Sequence, residues 1–100
     1  MEEKDISTEE VKQLLTNFFK EEGYYLIREN YAAINTENYI SLLFETGNRD
    51  GVDIRILNYL PHIPKWTLSD SDAHDNVIFV EMVKKENFFK KIISKISHNK

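Results

Sequence analysis

Residues 7–27, Ser-Thr-Glu-Glu-Val-Lys-Gln-Leu-Leu-Thr-Asn-Phe-Phe-Lys-Glu-Glu-Gly-Tyr-Tyr-Leu-Ile, decide the fold class, because the hydrophobic period changes inside them. Val11, Leu14, Leu15, Phe18 and Phe19 recur at three- and four-residue steps, the apolar stripe of an amphipathic helix. Ser7 and Glu10 have capping-box spacing, and Ile6 and Val11 stand where a hydrophobic staple closes the first turn. Glu9 and Glu10 suit the positive end of the helix dipole. Gly23 is placed to end the helix in a left-handed conformation. From Tyr24 onward the pattern is β-branched and aromatic, so a strand or two short strands are expected over Tyr24–Ile34.

Downstream, Tyr39 to Glu45 alternates, with Ile40, Leu42 and Phe44 on one face and Ser41 and Glu45 on the other. After the loop Thr46–Gly51, Val52, Ile54 and Ile56 alternate with Asp53 and Arg55. The two runs predict a hairpin with one wet face. Pro61 and Pro64 interrupt the pattern, and Ser69–Asp75 reads as a polar acidic loop. Val77–Val83 is apolar on both faces except Glu81, as in a central strand. Phe88, Phe89, Ile92, Ile93 and Ile96 then repeat at helical spacing, predicting a second helix that ends near Ser97.

The expected architecture is therefore α+β: a two-layer sandwich with an N-terminal helix, a mainly antiparallel sheet of four to five strands, and a C-terminal helix. With 100 residues the chain suits one domain, frayed at 1–5 and 97–100. A hydrophobic fraction of 41% provides enough material for one core.

The chain has no cysteine, which excludes disulfide frameworks and thiolate chemistry. Its start is acidic rather than signal-like, and no apolar run approaches the ~20 residues of a membrane span, so a cytoplasmic location is expected. The net charge of −4 is unevenly spread: residues 84–100 hold six lysines and one glutamate, while the rest is acidic. An acidic body repels nucleic acid and favours basic partners.

Catalytic signatures are missing: there is no nucleophile elbow, no glycine-rich phosphate loop and no H-E-x-x-H. The chain reads as a non-enzyme with no cofactor. Asp70, Asp72 and His74 have the 1-3-5 spacing of a calcium loop, with Glu81 at position 12. However, position 6 is Asp75 instead of the glycine that the turn requires, so a solvated loop is the better reading. His62, His74 and Asp75 bracket one loop, but their spacing does not demand a zinc site.

A partner surface is expected instead over Tyr59, His62, Lys65, Trp66, Asp70, Asp72, His74 and Asp75. It combines a P-x-x-P-K segment, the sole tryptophan and an acidic stretch. Trp66 is either an interface anchor or, the favoured alternative, a plug at the edge of the core. The expected function is a small acidic protein-binding module, an inhibitor or immunity-type protein that neutralises a basic partner such as a toxin. The alternative is nucleic-acid or anionic-membrane binding through Lys84, Lys85, Lys90, Lys91 and Lys95. A third expectation is a chaperone-like dimer that holds another chain on its sheet face or edge strand; the Tyr24–Ile34 stretch, if it is an edge, could pair with a second copy.

Overall fold

The computed structural model describes residues 6–29, 38–47 and 51–86. Helix α1 spans Thr8–Glu21, and its N-terminus forms as its sequence dictates. Ser7 is the N-cap, and its hydroxyl accepts from the Glu10 N–H at 3.2 Å. Ile6 and Val11 are both buried, and Gly23 ends the turn at φ 88°, where a side chain would strain the backbone.

Strands β1 (Tyr24–Glu29), β2 (Tyr39–Thr46), β3 (Trp66–His74) and β4 (Val77–Lys84) form one antiparallel sheet in the order β1-β2-β4-β3. The fold is α+β, with the N-terminal helix laid across β1 and β2. As its two apolar faces suggest, β4 is a central strand. The predicted C-terminal helix, the stretch 30–34 and Lys90, Lys91 and Lys95 lie outside the described residues.

Two expectations are corrected. Val52–Ile56 is not the second strand of a hairpin: Ile54–Tyr59 is a 3-10 helix, η1. β2 already has β1 on one side and β4 on the other, so no ladder edge is left for this segment. Asp53 caps η1 instead, with Oδ1 accepting from the Arg55 N–H at 3.1 Å, while its own N–H donates to the Tyr24 hydroxyl at 2.9 Å. The second correction is at Ser69–Asp75, which is no loop. Residues 66–74 are β3, and only the turn at Asp75–Asn76 separates it from β4.

The core lies between the sheet and α1. Val11, Leu15 and Phe19 meet Leu42, Phe44, Ile78 and Val80, all fully buried. Phe19 stacks on Phe44 with ring centres 4.2 Å apart, worth about 0.5–1.5 kcal/mol beyond area burial. Ile56 and Ile63 from the β2–β3 connection join the same cluster. Trp66 is 3% exposed, and its indole N–H donates to the Ile6 carbonyl at 2.9 Å. It is the plug that ties β3 to the segment that leads into α1, and it is not available as a surface anchor.

Candidate functional site

Among the described residues, two hollows on opposite faces of the sheet can be weighed. The first, about 530 Å³, opens between the end of α1 and η1, walled by Phe18, Tyr24, Arg55, Ile56 and Tyr59. Tyr59 is 75% exposed there. Arg55 makes two side-chain bonds to Asp53, both at 2.9 Å, and these hold the Asp53 carboxyl below its usual range. With its guanidinium committed to Asp53, Arg55 adds little net charge to this hollow.

The second hollow, about 330 Å³, sits on the sheet face turned away from α1 and is lined by Leu43, Asp72, His74, Val77 and Phe79. Strand register explains why they meet. Leu43 pairs with Phe79, which pairs with Asp72; Val77 pairs with His74 on one side and Glu45 on the other. One level further, Ser41 pairs with Glu81 and Glu81 with Asp70. The outer face thus carries an apolar centre of Leu43, Val77 and Phe79. Glu45 and Glu81 interrupt it, and Asp70 and Asp72 border it on the β3 side.

Asp70, Asp72 and His74 project from one face of β3 because residues two apart in a strand share a face. All three are exposed. Their order along a strand removes the calcium-loop geometry that the 1-3-5 spacing would need. Among the described residues, no three histidine, aspartate or glutamate side chains come together as metal ligands. His74 instead faces its neighbour Asp75, Nε2 to Oδ2 at 3.2 Å.

Asp70 and Asp72 also serve their own backbone: each accepts, through Oδ1, from the next residue's N–H, Ser71 and Ala73, at 2.9 Å. β3 is an edge strand, so these carboxylates cover donors that the ladder with β4 leaves over.

The eight predicted partner-surface residues are not brought to one place. Tyr59 lines the first hollow, Asp72 and His74 the second, Asp70 stands beside the second, and Trp66 is core. His62 and Lys65 are exposed in the connection before β3, Lys65 with φ 68°, and Asp75 sits at the β3–β4 turn with φ 53°. Lys84 is the last residue of β4, its Nζ 5.9 Å from the Trp66 ring centre, and Lys85 donates its N–H to the Lys65 carbonyl at 2.8 Å. No match to this chain is found among protein-family models, curated proteins or solved structures.

Sequence reasoning did not place Leu43, Val77 and Phe79, or Asp53 and Arg55, among the candidate surface residues. Leu43 carried a signal: it breaks the apolar–polar alternation of β2 in a strand with one face already apolar. Among the described residues, no helix is long and apolar enough to cross a membrane.

Proposed function

We propose that this chain is a non-catalytic, cytoplasmic protein-binding module that engages a basic protein through the outer face of its sheet, as an inhibitor or immunity-type protein does when it neutralises a toxin. The observation that supports this reading is the juxtaposition on that face of Leu43, Val77 and Phe79 with Asp70, Asp72, Glu45 and Glu81. An apolar centre supplies affinity on desolvation. A carboxylate border supplies steering and selects against acidic partners. The reading extends to the C-terminal part of the chain, taken as an amphipathic helix ending near Ser97.

The test compares the wild-type chain with Asp70→Asn/Asp72→Asn, a pair that removes both charges and keeps the acceptors for Ser71 and Ala73. Each is immobilised and exposed to lysate of the native cell. The expected result is a stoichiometric basic protein held by the wild type and released by rising salt. Once purified, it binds the double variant at least tenfold more weakly. Recovery of no stoichiometric protein, or binding indifferent to both charge and salt, would overturn the reading.

A further inference from the structure

Glu22 closes α1 as its C-cap, at the end where the helix dipole is negative and disfavours a carboxylate. It is exposed, and among the described residues its side chain has neither a hydrogen bond nor an ion pair. It stands on the wall of the 530 Å³ hollow, and three aromatic residues line that hollow with it: Phe18, Tyr24 and Tyr59. Two of the rings are held in place. Phe18 and Tyr24 each meet Phe19 edge-on, with ring centres 5.1 and 6.0 Å away, and the Tyr24 hydroxyl accepts from the Asp53 N–H at 2.9 Å. Tyr59, at the end of η1, is 75% exposed.

The other polar groups of the hollow are already engaged. Asp53 Oδ1 accepts from the Arg55 N–H and Nε, its Oδ2 accepts from Nη2, and the Tyr24 oxygen has the Asp53 N–H. Asp53 and Arg55 cancel each other's charge, so Glu22 and the carbonyl end of α1 leave the hollow net negative. Lys20, in the last turn of the helix, is not among the lining residues. Aromatic rings beside an unbalanced negative charge, with few acceptors to spare, suit a cation that has no N–H of its own to satisfy.

We propose that this hollow binds a small organic molecule through its quaternary ammonium group, with the three rings as walls and Glu22 as the counter-charge. Its volume falls within the ~300–1,000 Å³ of small-molecule sites. A trimethylammonium head carries a diffuse positive charge on an apolar surface, so it gains from ring faces. A primary ammonium or a guanidinium would give up hydrogen bonds to water that the hollow replaces chiefly at Glu22. The site is separate from the surface proposed for a basic protein, which lies on the opposite face of the sheet.

The test titrates the isotopically labelled full-length chain with choline and, in parallel, with its uncharged carbon isostere, dimethylbutanol, following amide shifts. Choline should give saturable shifts at Gly23, Tyr24, Ile56 and Tyr59, and the isostere should bind at least about fivefold more weakly. Tyr59→Ala and Glu22→Gln should each weaken choline about two- to fivefold. Glu22→Gln, relieved of its conflict with the helix dipole, should unfold at a urea midpoint no lower than wild type, which separates lost binding from lost structure. Glu10→Gln removes the same charge at the far end of α1 and should leave binding unchanged. Equal affinity for the isostere would make the hollow merely apolar. Shifts that do not saturate, or equal weakening by Glu10→Gln, would make the attraction a diffuse one to an acidic protein. Either result, or full binding by Tyr59→Ala, would overturn the proposal.

Discussion

Gly51 shows how one residue can fix the geometry of the connection. Its φ is 83°, and a Cβ there would lie 2.9 Å from the Asp75 carbonyl oxygen, which also accepts from the Val52 N–H at 3.2 Å. Gly23 has a similar φ of 88° but open space around its missing Cβ. Gly23→Ala should therefore carry only the left-handed penalty, about 1–2 kcal/mol. Gly51→Ala should carry the same penalty together with displacement of the Asp75 carbonyl. Urea midpoints on the two variants check this; a Gly51→Ala protein no less stable than Gly23→Ala would refute it. Asp53 gives a residue-scale pH dependence. Its carboxyl is held below the ordinary value first by the Arg55 side chain and then by the Arg55 N–H. A group with a depressed folded pKa stabilises above its unfolded value, near pH 4, and loses that contribution as pH falls through the folded value. The stability advantage of wild type over Asp53→Asn should accordingly be present at pH 6 and shrink in denaturant titrations below pH ~4.

Among the elements, α1 and β4 were legible in the sequence and β3 was not, for a physical reason. α1 announces itself through Ser7, Glu10 and Gly23, whose roles are local and independent of the rest of the chain. β4 shows apolar residues on both faces because it is flanked on both sides. β3 is an edge strand whose ladder slips between Leu68 and Asp70, so its inward residues are Trp66 and Leu68, then Ser71 and Ala73. That change of parity hides it from any period-two reading, and its exposed aspartates look like loop chemistry. β1 contains a similar irregularity between Leu26 and Arg28, and Tyr25 and Ile27 remain 57% and 51% exposed. The candidate surface was half legible for the same reason: Asp70, Asp72 and His74 stood out as polar residues, but only the register brings Leu43 and Phe79 beside them. The aspartates of β3 carry an element-scale prediction. Asp70→Ala/Asp72→Ala uncovers the Ser71 and Ala73 N–H groups on a free edge, whereas the matching Asn pair keeps them covered. Light scattering on heating should show the Ala pair assembling faster than the Asn pair, and equal rates would mean that charge alone protects the edge.

At the scale of the whole molecule, distant parts of the chain are joined by a few contacts that only a formed core can hold. The Trp66 indole reaches the Ile6 carbonyl across sixty positions of sequence, and the Asp53 N–H reaches the Tyr24 hydroxyl across twenty-nine. Phe19 of α1 packs on both Tyr24 and Phe44, with ring centres at 6.0 and 4.2 Å. The first of these contacts binds the edge strand β3 to the segment before the helix. The last two bind the helix to the opposite edge and to a central strand. Neither the helix nor the β3–β4 hairpin can separate without exposing residues that the other buries, so unfolding should be one cooperative transition. Trp66 is the chain's only tryptophan, and it sits at the joint, so its fluorescence reports the tertiary contact while far-UV circular dichroism reports helix and sheet. The emission should be blue-shifted and shielded from acrylamide in the native state, because the ring is 3% exposed. In a urea titration the two signals should change with the same midpoint and the same slope. If the fluorescence transition preceded the loss of secondary structure, β3 and the N-terminal turn would detach as a unit of their own, and the single-core account would be wrong.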